Sequence, residues 1–183
     1  MLHLFIGPMY SGKSTLLLSR FERYKIGGKS CIIIKYDKDI RYDSNNIITH
    51  EMAKYSCDCK KFSAINTNLL HSIEHLISHY DVILIDEIQF YKDAATICDK
   101  WANQGKIVEC YGLSGDFKRE PFEPVSKLIP LADSIQHLTA IDKTTGSLAP
   151  FTHRLTKDTN QELIGGEEIY QAVSRETFKF MNC

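Results

Sequence analysis

The sequence predicts an α/β fold in which a parallel sheet is covered by helices, and three observations carry that reading. Short apolar runs at 2–6, 31–35, 82–85, 107–111 and 134–138 alternate with stretches of helical spacing. Such runs suit strands buried on both faces. The pattern Gly7-x-x-x-x-Gly12-Lys13-Ser14 stands between the first run and the first helical stretch, the context a phosphate-binding loop requires. From about residue 142 the character changes to turn-rich sequence, with Thr144, Thr145, Gly146, Ser147 and Pro150 close together. A second, smaller region is expected there.

Taken in order, the first strand runs into the glycine loop, and Leu16, Leu17, Leu18, Phe21 and Tyr24 open a helix that Gly27-Gly28 ends. The run 31–35 is the second strand. The segment 36–52 is polar, with Asp37, Asp39, Arg41, Asp43 and an Asn45-Asn46 turn signal before a strand-like 47–49, so a hairpin is expected. Leu69, Leu70, Ile73, Leu76 and Ile77 keep helical spacing over 66–78. The third run stops at Asp86-Glu87. A helix carries Ala94, Ala95, Ile97, Cys98, Trp101 and Ala102 and ends at Gly105. A fourth strand at 107–111, a loop over 113–122, a short helix at 125–131 and a fifth strand at 134–138 follow. Residues 1–140 thus form the phosphate-loop domain. Residues 141–183 form a small β-rich region, with strand-like pieces at 149–155 and 170–173 around a polar loop at 156–168.

The chain has 183 residues, 43% apolar and 25% charged, with net charge −1. This is ordinary globular composition. It offers no basic field for a nucleic-acid partner, and no apolar stretch approaches the roughly 18 residues of a membrane span. Without a signal-peptide pattern the cytoplasm is expected. Cys31, Cys98 and Cys110 read as free buried thiols. Cys57-Asp58-Cys59 has the wrong spacing and too few partners for zinc.

The chemistry of the loop is local. Its backbone N–H groups can turn inward around a polyphosphate while the next helix points its positive end at the same anion. Lys13 is placed to meet the β- and γ-phosphates and Ser14 to ligate Mg²⁺. Asp86, at a strand end, suits the second metal-holding position. Its neighbour Glu87 is a candidate general base toward an attacking hydroxyl. These residues alone leave open whether water or a substrate hydroxyl attacks.

Further segments narrow the choice by resemblance. The loop 7–15, Ile34-Lys35-Tyr36-Asp37-Lys38-Asp39-Ile40-Arg41-Tyr42, Asp86-Glu87-Ile88-Gln89-Phe90-Tyr91, Leu113-Ser114-Gly115-Asp116-Phe117 with Arg119-Glu120-Pro121-Phe122, Leu128-Ile129-Pro130-Leu131-Ala132-Asp133-Ser134 and Ile164-Gly165-Gly166 with Tyr170 occur in order. Together they resemble the type II, cytosolic-type thymidine kinases. The resemblance implies a RecA-like parallel sheet plus a small subdomain with a lasso loop that closes over the base. It also implies transfer of the ATP γ-phosphate to the 5′-hydroxyl of thymidine with Mg²⁺.

Carried over by position, Gly7, Pro8, Met9, Tyr10, Ser11, Gly12, Lys13, Ser14, Thr15, Asp86 and Gln89 would hold ATP, with Ser14 and Asp86 on Mg²⁺. Glu87 would be the base, and Arg41 and Lys13 would steady the transferred phosphoryl group. Met9, Tyr10, Phe90, Leu113, Phe117 and Phe122 would wall the nucleoside. Thr152, Arg154, Leu163, Ile164, Gly165 and Tyr170 would meet it from the lasso, Tyr170 near the 3′-hydroxyl. A homotetramer and feedback inhibition by dTTP are also implied.

Two departures stand out. The positions of the family's structural zinc cysteines hold Asp142, Thr145, Ser174 and Thr177, so no structural zinc is expected. Packing of Phe151, Tyr170, Phe178 and Phe180, or contacts between subunits, is expected to offset part of its loss. Ser114-Gly115-Asp116 also differs from the common Asp-Gly-Thr. Alternatives are a kinase of broader deoxynucleoside choice and a nucleotide-binding regulatory module that has lost transfer. A RecA-type motor on DNA would need a basic stripe this chain lacks.

Overall fold

The structure, a computed structural model, describes residues 1–36, 64–161, 163 and 165–181. Its main sheet contains β1 (Leu2–Gly7), β2 (Cys31–Tyr36), β3 (Ala64–Thr67), β4 (Val82–Ile85), β5 (Ile107–Leu113) and β6 (Ser134–His137). The strand order is β3-β2-β4-β5-β1-β6, and all five pairings are parallel. The helices α1 (Lys13–Ile26), α2 (Glu74–Ile77), α3 (Ala94–Asn103) and α4 (Glu123–Leu128) connect these strands.

Side chains alternate across the strands with period two, and each face meets its own helices. Leu2, Leu4, Ile6, Ile32, Ile34, Ile83 and Ile85 join a core with Ile97, Trp101, Val125 and Leu128 of α3 and α4. Phe5, Cys31, Ile33, Val82, Leu84 and Tyr111 pack on Leu17, Leu18 and Phe21 of α1. Both faces are apolar along β1, β2, β4 and most of β5, which is why these strands read as continuous hydrophobic runs, whereas the edge strand β6, expected to be buried as well, is exposed throughout.

One buried charge interrupts this second core. Glu109 on β5 is fully buried and accepts from Arg20 Nε at 2.8 Å and from the Tyr24 and Tyr111 hydroxyls at 2.6 Å each. Burial alone would raise its pKa. The bonds from Arg20, Tyr111 and Tyr24 outweigh that and hold the carboxyl below the usual range. Burial and the neighbouring Glu109 push Tyr24 up to about 12. The helix that follows the phosphate loop is thereby pinned to the middle of the sheet.

The expectations differ from the structure in three places. The segment read as a helix over 66–78 begins as β3, then turns through a 3₁₀ segment at Leu70–Ile73 into the four-residue α2. Ala64-Ile65-Asn66-Thr67 has no strand pattern of its own and becomes a strand by pairing with β2. Among the described residues the sheet therefore has six strands rather than five. Two-stranded antiparallel sheets follow, β7 (Ala140–Ile141) with β8 (Leu148–Ala149), and β9 (Phe151–Arg154) with β10 (Tyr170–Val173). An unforeseen helix, α5 (Arg175–Met181), closes the described chain.

In that region Phe151 and Phe178 pack with ring centroids 5.7 Å apart, and Tyr170 is buried. Phe180 does not join them. It is 83% exposed, because residues two apart on a helix point to opposite sides. Cys31, Cys98 and Cys110 are free and buried. The expected hairpin at 36–52 and Cys57, Cys59 and Cys183 lie outside the described residues. Among those described, no helix is long and apolar enough to cross a membrane.

Candidate active site

The site assembles at the carboxyl edge of the sheet, where open α/β sheets bind ligands. β1 ends at Gly7, opposite Leu113 of β5. A Cβ on Gly7 would lie 2.6 Å from the Leu138 carbonyl oxygen and 2.7 Å from Ser11 Oγ, so only glycine lets the loop turn this tightly. Tyr10 and Gly12 take left-handed backbone, with φ of 63° and 79°. Ser11 Oγ donates to the Pro8 carbonyl at 2.9 Å. Lys13 Nζ donates to the same carbonyl at 2.6 Å and to that of Gly7 at 3.3 Å. The loop 7–15 is thus wrapped around the Lys13 ammonium. Half-buried Ser14 and exposed Thr15 begin α1, whose first turn carries no acidic side chain to offset its positive end.

β4 delivers Asp86 and Glu87 to the same edge. Asp86 is fastened by its N–H to the Ile34 carbonyl at 2.9 Å, and its Oδ1 accepts the Glu87 N–H at 3.0 Å. Glu87 has φ 51°, a left-handed conformation that costs roughly 1–2 kcal/mol in a residue with a Cβ. Gln89 is buried between Glu87 and β5. Its Nε2 donates to Glu87 Oε2 at 2.6 Å, and its Oε1 accepts the Leu113 N–H at 3.1 Å. Since a backbone N–H can only donate, Leu113 fixes which end of the amide faces Glu87. Gln89, expected among the ATP ligands, therefore spends its amide inside the protein as a support for Glu87.

The expected nucleoside wall is only partly gathered. Half-buried Phe90 stacks on Tyr36 at 4.8 Å. Tyr36, a tyrosine closing a strand, carries no sequence signal of its own for this role. Met9, Leu113 and Phe117 are half-buried and Tyr10 is exposed. Phe122 is buried and belongs to the α4 side of the core. Arg41 and Ile164 lie outside the described residues.

The lasso is tied directly to the phosphate loop, where the Met9 N–H donates to Thr152 Oγ1 at 3.0 Å. Arg154 is buried and donates to the carbonyls of Asp158, Asn160 and Gln161 and to the Tyr170 hydroxyl at 2.7 Å. Tyr170 in turn donates to the Leu163 carbonyl at 2.7 Å. Arg154 and Tyr170, expected as nucleoside contacts, therefore shape the lasso from within. A Cβ on Gly165 would lie 2.2 Å from Ile169 Cδ1, so the packing of Ile169 inside the lasso requires glycine there. Gln161 Nε2 reaches Asp116 Oδ2 at 3.2 Å and links the lasso to the loop after β5.

The positions aligned with zinc ligands do converge, through hydrogen bonds. Asp142 is buried, its Oδ2 accepts the Ser174 N–H at 2.8 Å, and its Oδ1 accepts the Thr144 N–H at 2.9 Å. Ser174 Oγ donates to Thr177 Oγ1 at 3.1 Å, whereas Thr145 Oγ1 accepts the Ser147 N–H at 3.3 Å within its own turn. Burial raises the Asp142 pKa, but the donors on Thr177, Ser174 and Thr144 outweigh it and hold the carboxyl well below the usual range. Among the described residues no group of three or more His, Cys, Asp or Glu side chains gathers as a metal site.

Comparison with known proteins finds relatives along nearly the whole chain. A family model described as thymidine kinase matches residues 1–178. The thymidine kinase of Sheeppox virus (strain KS-1) is 41% identical over 177 residues, covering 97% of this chain and 96% of the relative. That of Raccoon poxvirus is 42% identical with the same coverage, and that of Vaccinia virus (strain Western Reserve) is 40% identical. The crystal structure of flagellar accessory protein FlaH from Methanocaldococcus jannaschii covers 80% of this chain and 74% of its own, with TM-score 0.53 and 15% identity. That likeness is one of fold, a RecA-like parallel sheet flanked by helices, to which this chain adds its small β-sheets.

Proposed function

The chain belongs to the thymidine kinase family, and from that premise we infer that it is an ATP-dependent kinase converting thymidine to dTMP. We assign it to the type II, cytosolic class, with residues 1–140 as the nucleotide-binding domain and 141–183 as the lasso region. The observation that carries the reading is the pairing of a loop wrapped around Lys13 with Glu87, held by Gln89 at the same sheet edge.

Glu87 takes the proton from the 5′-hydroxyl as that oxygen attacks the γ-phosphorus. Lys13 and Arg41 steady the charge on the transferred group. Magnesium supplies charge neutralisation on the phosphates. The Ser14 hydroxyl and Asp86 carboxylate are the hard oxygen donors that suit it. Met9, Phe90, Leu113 and Phe117 provide flat and apolar surface for a base, and the lasso backbone around Leu163 and Gly165 reads its edge. The protein works in the cytoplasm as a homotetramer inhibited by dTTP, which carries the thymidine moiety and a triphosphate together.

ADP release measured with thymidine, deoxyuridine and deoxycytidine tests the reading. Turnover with thymidine well above deoxycytidine is expected, and equal rates would replace it with a broad deoxynucleoside kinase. Glu87→Gln is expected to lower kcat by about 10²–10⁴-fold, the range for loss of a general base. Unchanged turnover would remove Glu87 from that role.

A further inference from the structure

A second cleft, of about 310 Å³, opens beside the site between the loop after β5, the end of β6, β9 and the start of α5. Its volume is at the lower end of the range for small-ligand pockets. Arg119 and Arg175 both line it. The Arg119 guanidinium lies 4.4 Å from the Phe178 ring centre and 5.5 Å from that of Phe151, and Arg175 lies 4.8 Å from the same Phe151 ring. Neither guanidinium has a carboxylate partner among the described residues. Among the described residues the one acid in the lining is Asp116, which is buried, and its oxygens are occupied by the N–H groups of Lys118 and Glu120 and by Gln161. The two guanidiniums against this one satisfied carboxylate leave the field of the cleft cationic.

Two features make this more than a pair of surface charges. Arg119 has φ 67°, a left-handed conformation that a side-chain-bearing residue adopts at a cost, and in it the guanidinium is stacked on two aromatic rings. Stacking restrains both forks before any ligand arrives, so less side-chain entropy is lost on binding. Planar guanidinium forks match phosphate oxygens in bidentate geometry. The cleft also touches the phosphate loop through two of its lining residues. Ser114 donates its N–H to the Gly7 carbonyl at 3.2 Å, and Thr152 receives the Met9 N–H.

We propose that the Arg119–Arg175 cleft is an anion site for a phosphate group, separate from the cradle formed by the loop 7–15. Its occupant is either a free phosphate anion or an outlying phosphate of a nucleotide seated at that loop. In both cases the guanidiniums supply the recognition.

Calorimetric titration of the full chain with inorganic pyrophosphate, without added magnesium, tests the site. Lys13→Ala removes the contribution of the phosphate loop. Pyrophosphate is expected still to bind that variant, and adding Arg119→Gln with Arg175→Gln is expected to weaken the remaining binding at least about tenfold. Absence of binding to Lys13→Ala, or remaining binding that the two arginine changes leave within about twofold, overturns the proposal. If the combined variant fails to fold by circular dichroism, Lys13→Ala with Arg175→Gln alone is read. A several-fold weakening upholds the site and none overturns it. Titrating wild type with ATP first separates the two sources, both of which uphold the site. A pyrophosphate site left open beside one bound ATP identifies a free anion as occupant, and closure of both identifies the nucleotide's own phosphates.

Discussion

The guanidinium of Arg154 lies 3.9 Å from the centre of the Phe117 ring, so one buried cation joins the loop after β5 to the interior of the lasso. Because the same guanidinium gathers the lasso carbonyls, Arg154→Lys keeps the charge but loses the planar fork. The expected result is a rise of about tenfold in the KM for thymidine, with a much smaller change in that for ATP. Steady-state kinetics with each substrate varied in turn checks it. An equal rise for both substrates would point to general unfolding instead.

Gln89 is expected to act as a positioning residue. Gln89→Leu keeps approximate volume but frees the Glu87 carboxylate to swing away from its place, and it leaves the Leu113 N–H without an acceptor. A misplaced base costs rate more than binding, so kcat should fall about 10–100-fold while the ATP dissociation constant is nearly unchanged. Comparing single-turnover rates with equilibrium ATP binding separates these. Preserved kcat would show that the 2.6 Å bond to Glu87 has no part in positioning the base.

Glu109→Ala removes the anion from a buried pair and leaves the Arg20 guanidinium with the Tyr24 hydroxyl but no carboxylate. Arg20 retains 27% side-chain exposure, so the cost falls at the lower end for breaking such a pair, about 3 kcal/mol. The urea midpoint should drop accordingly. Added salt should weaken the wild-type pair only slightly, since screening acts chiefly on exposed charges.

Among the described residues the two buried carboxyls with a depressed pKa, Asp142 and Glu109, contribute to the acid limb of stability. Above about pH 4, the ordinary carboxylate range, both are charged in the folded and unfolded chains and their stabilisation is fully present. As the pH falls below that, the unfolded chain takes up protons first, and stability is lost until the folded groups titrate as well. Asp142→Asn should flatten this limb and cost about 1–3 kcal/mol, because an amide cannot accept all the N–H groups the carboxylate accepts. Thermal melts between pH 3 and pH 7 of both proteins test this. An identical acid limb would acquit Asp142.

The phosphate loop, the acidic pair after β4 and most of the sheet could be read directly, because their signals are local. A glycine spacing, an apolar run and the residue that ends it are all visible without a partner. β3 could not be read, since Asn66 and Thr67 become strand only against Lys35 and Tyr36. The part played by Gln89 was equally hidden. Its position suggests a ligand for phosphate, and only the fold brings the Leu113 N–H to its carbonyl. The same holds for Arg154 and Tyr170, whose polar atoms serve the lasso's own backbone. The substitution of Ser174 and Thr177 for cysteines was legible as a loss, but the hydrogen bonds to Asp142 that join the same segments were not.

The bond from the Met9 N–H to Thr152 Oγ1 has a consequence for how the two substrates sense one another. On the proposed assignment, in which the loop 7–15 holds ATP and the lasso covers thymidine, this bond joins the two compartments. Any ligand that strains or relaxes that bond changes the free energy of both compartments. By thermodynamic reciprocity, whatever thymidine does to the affinity for ATP, ATP must do to the affinity for thymidine. On that assignment, the Thr152 hydroxyl is the contact through which coupling between the two binding equilibria would pass.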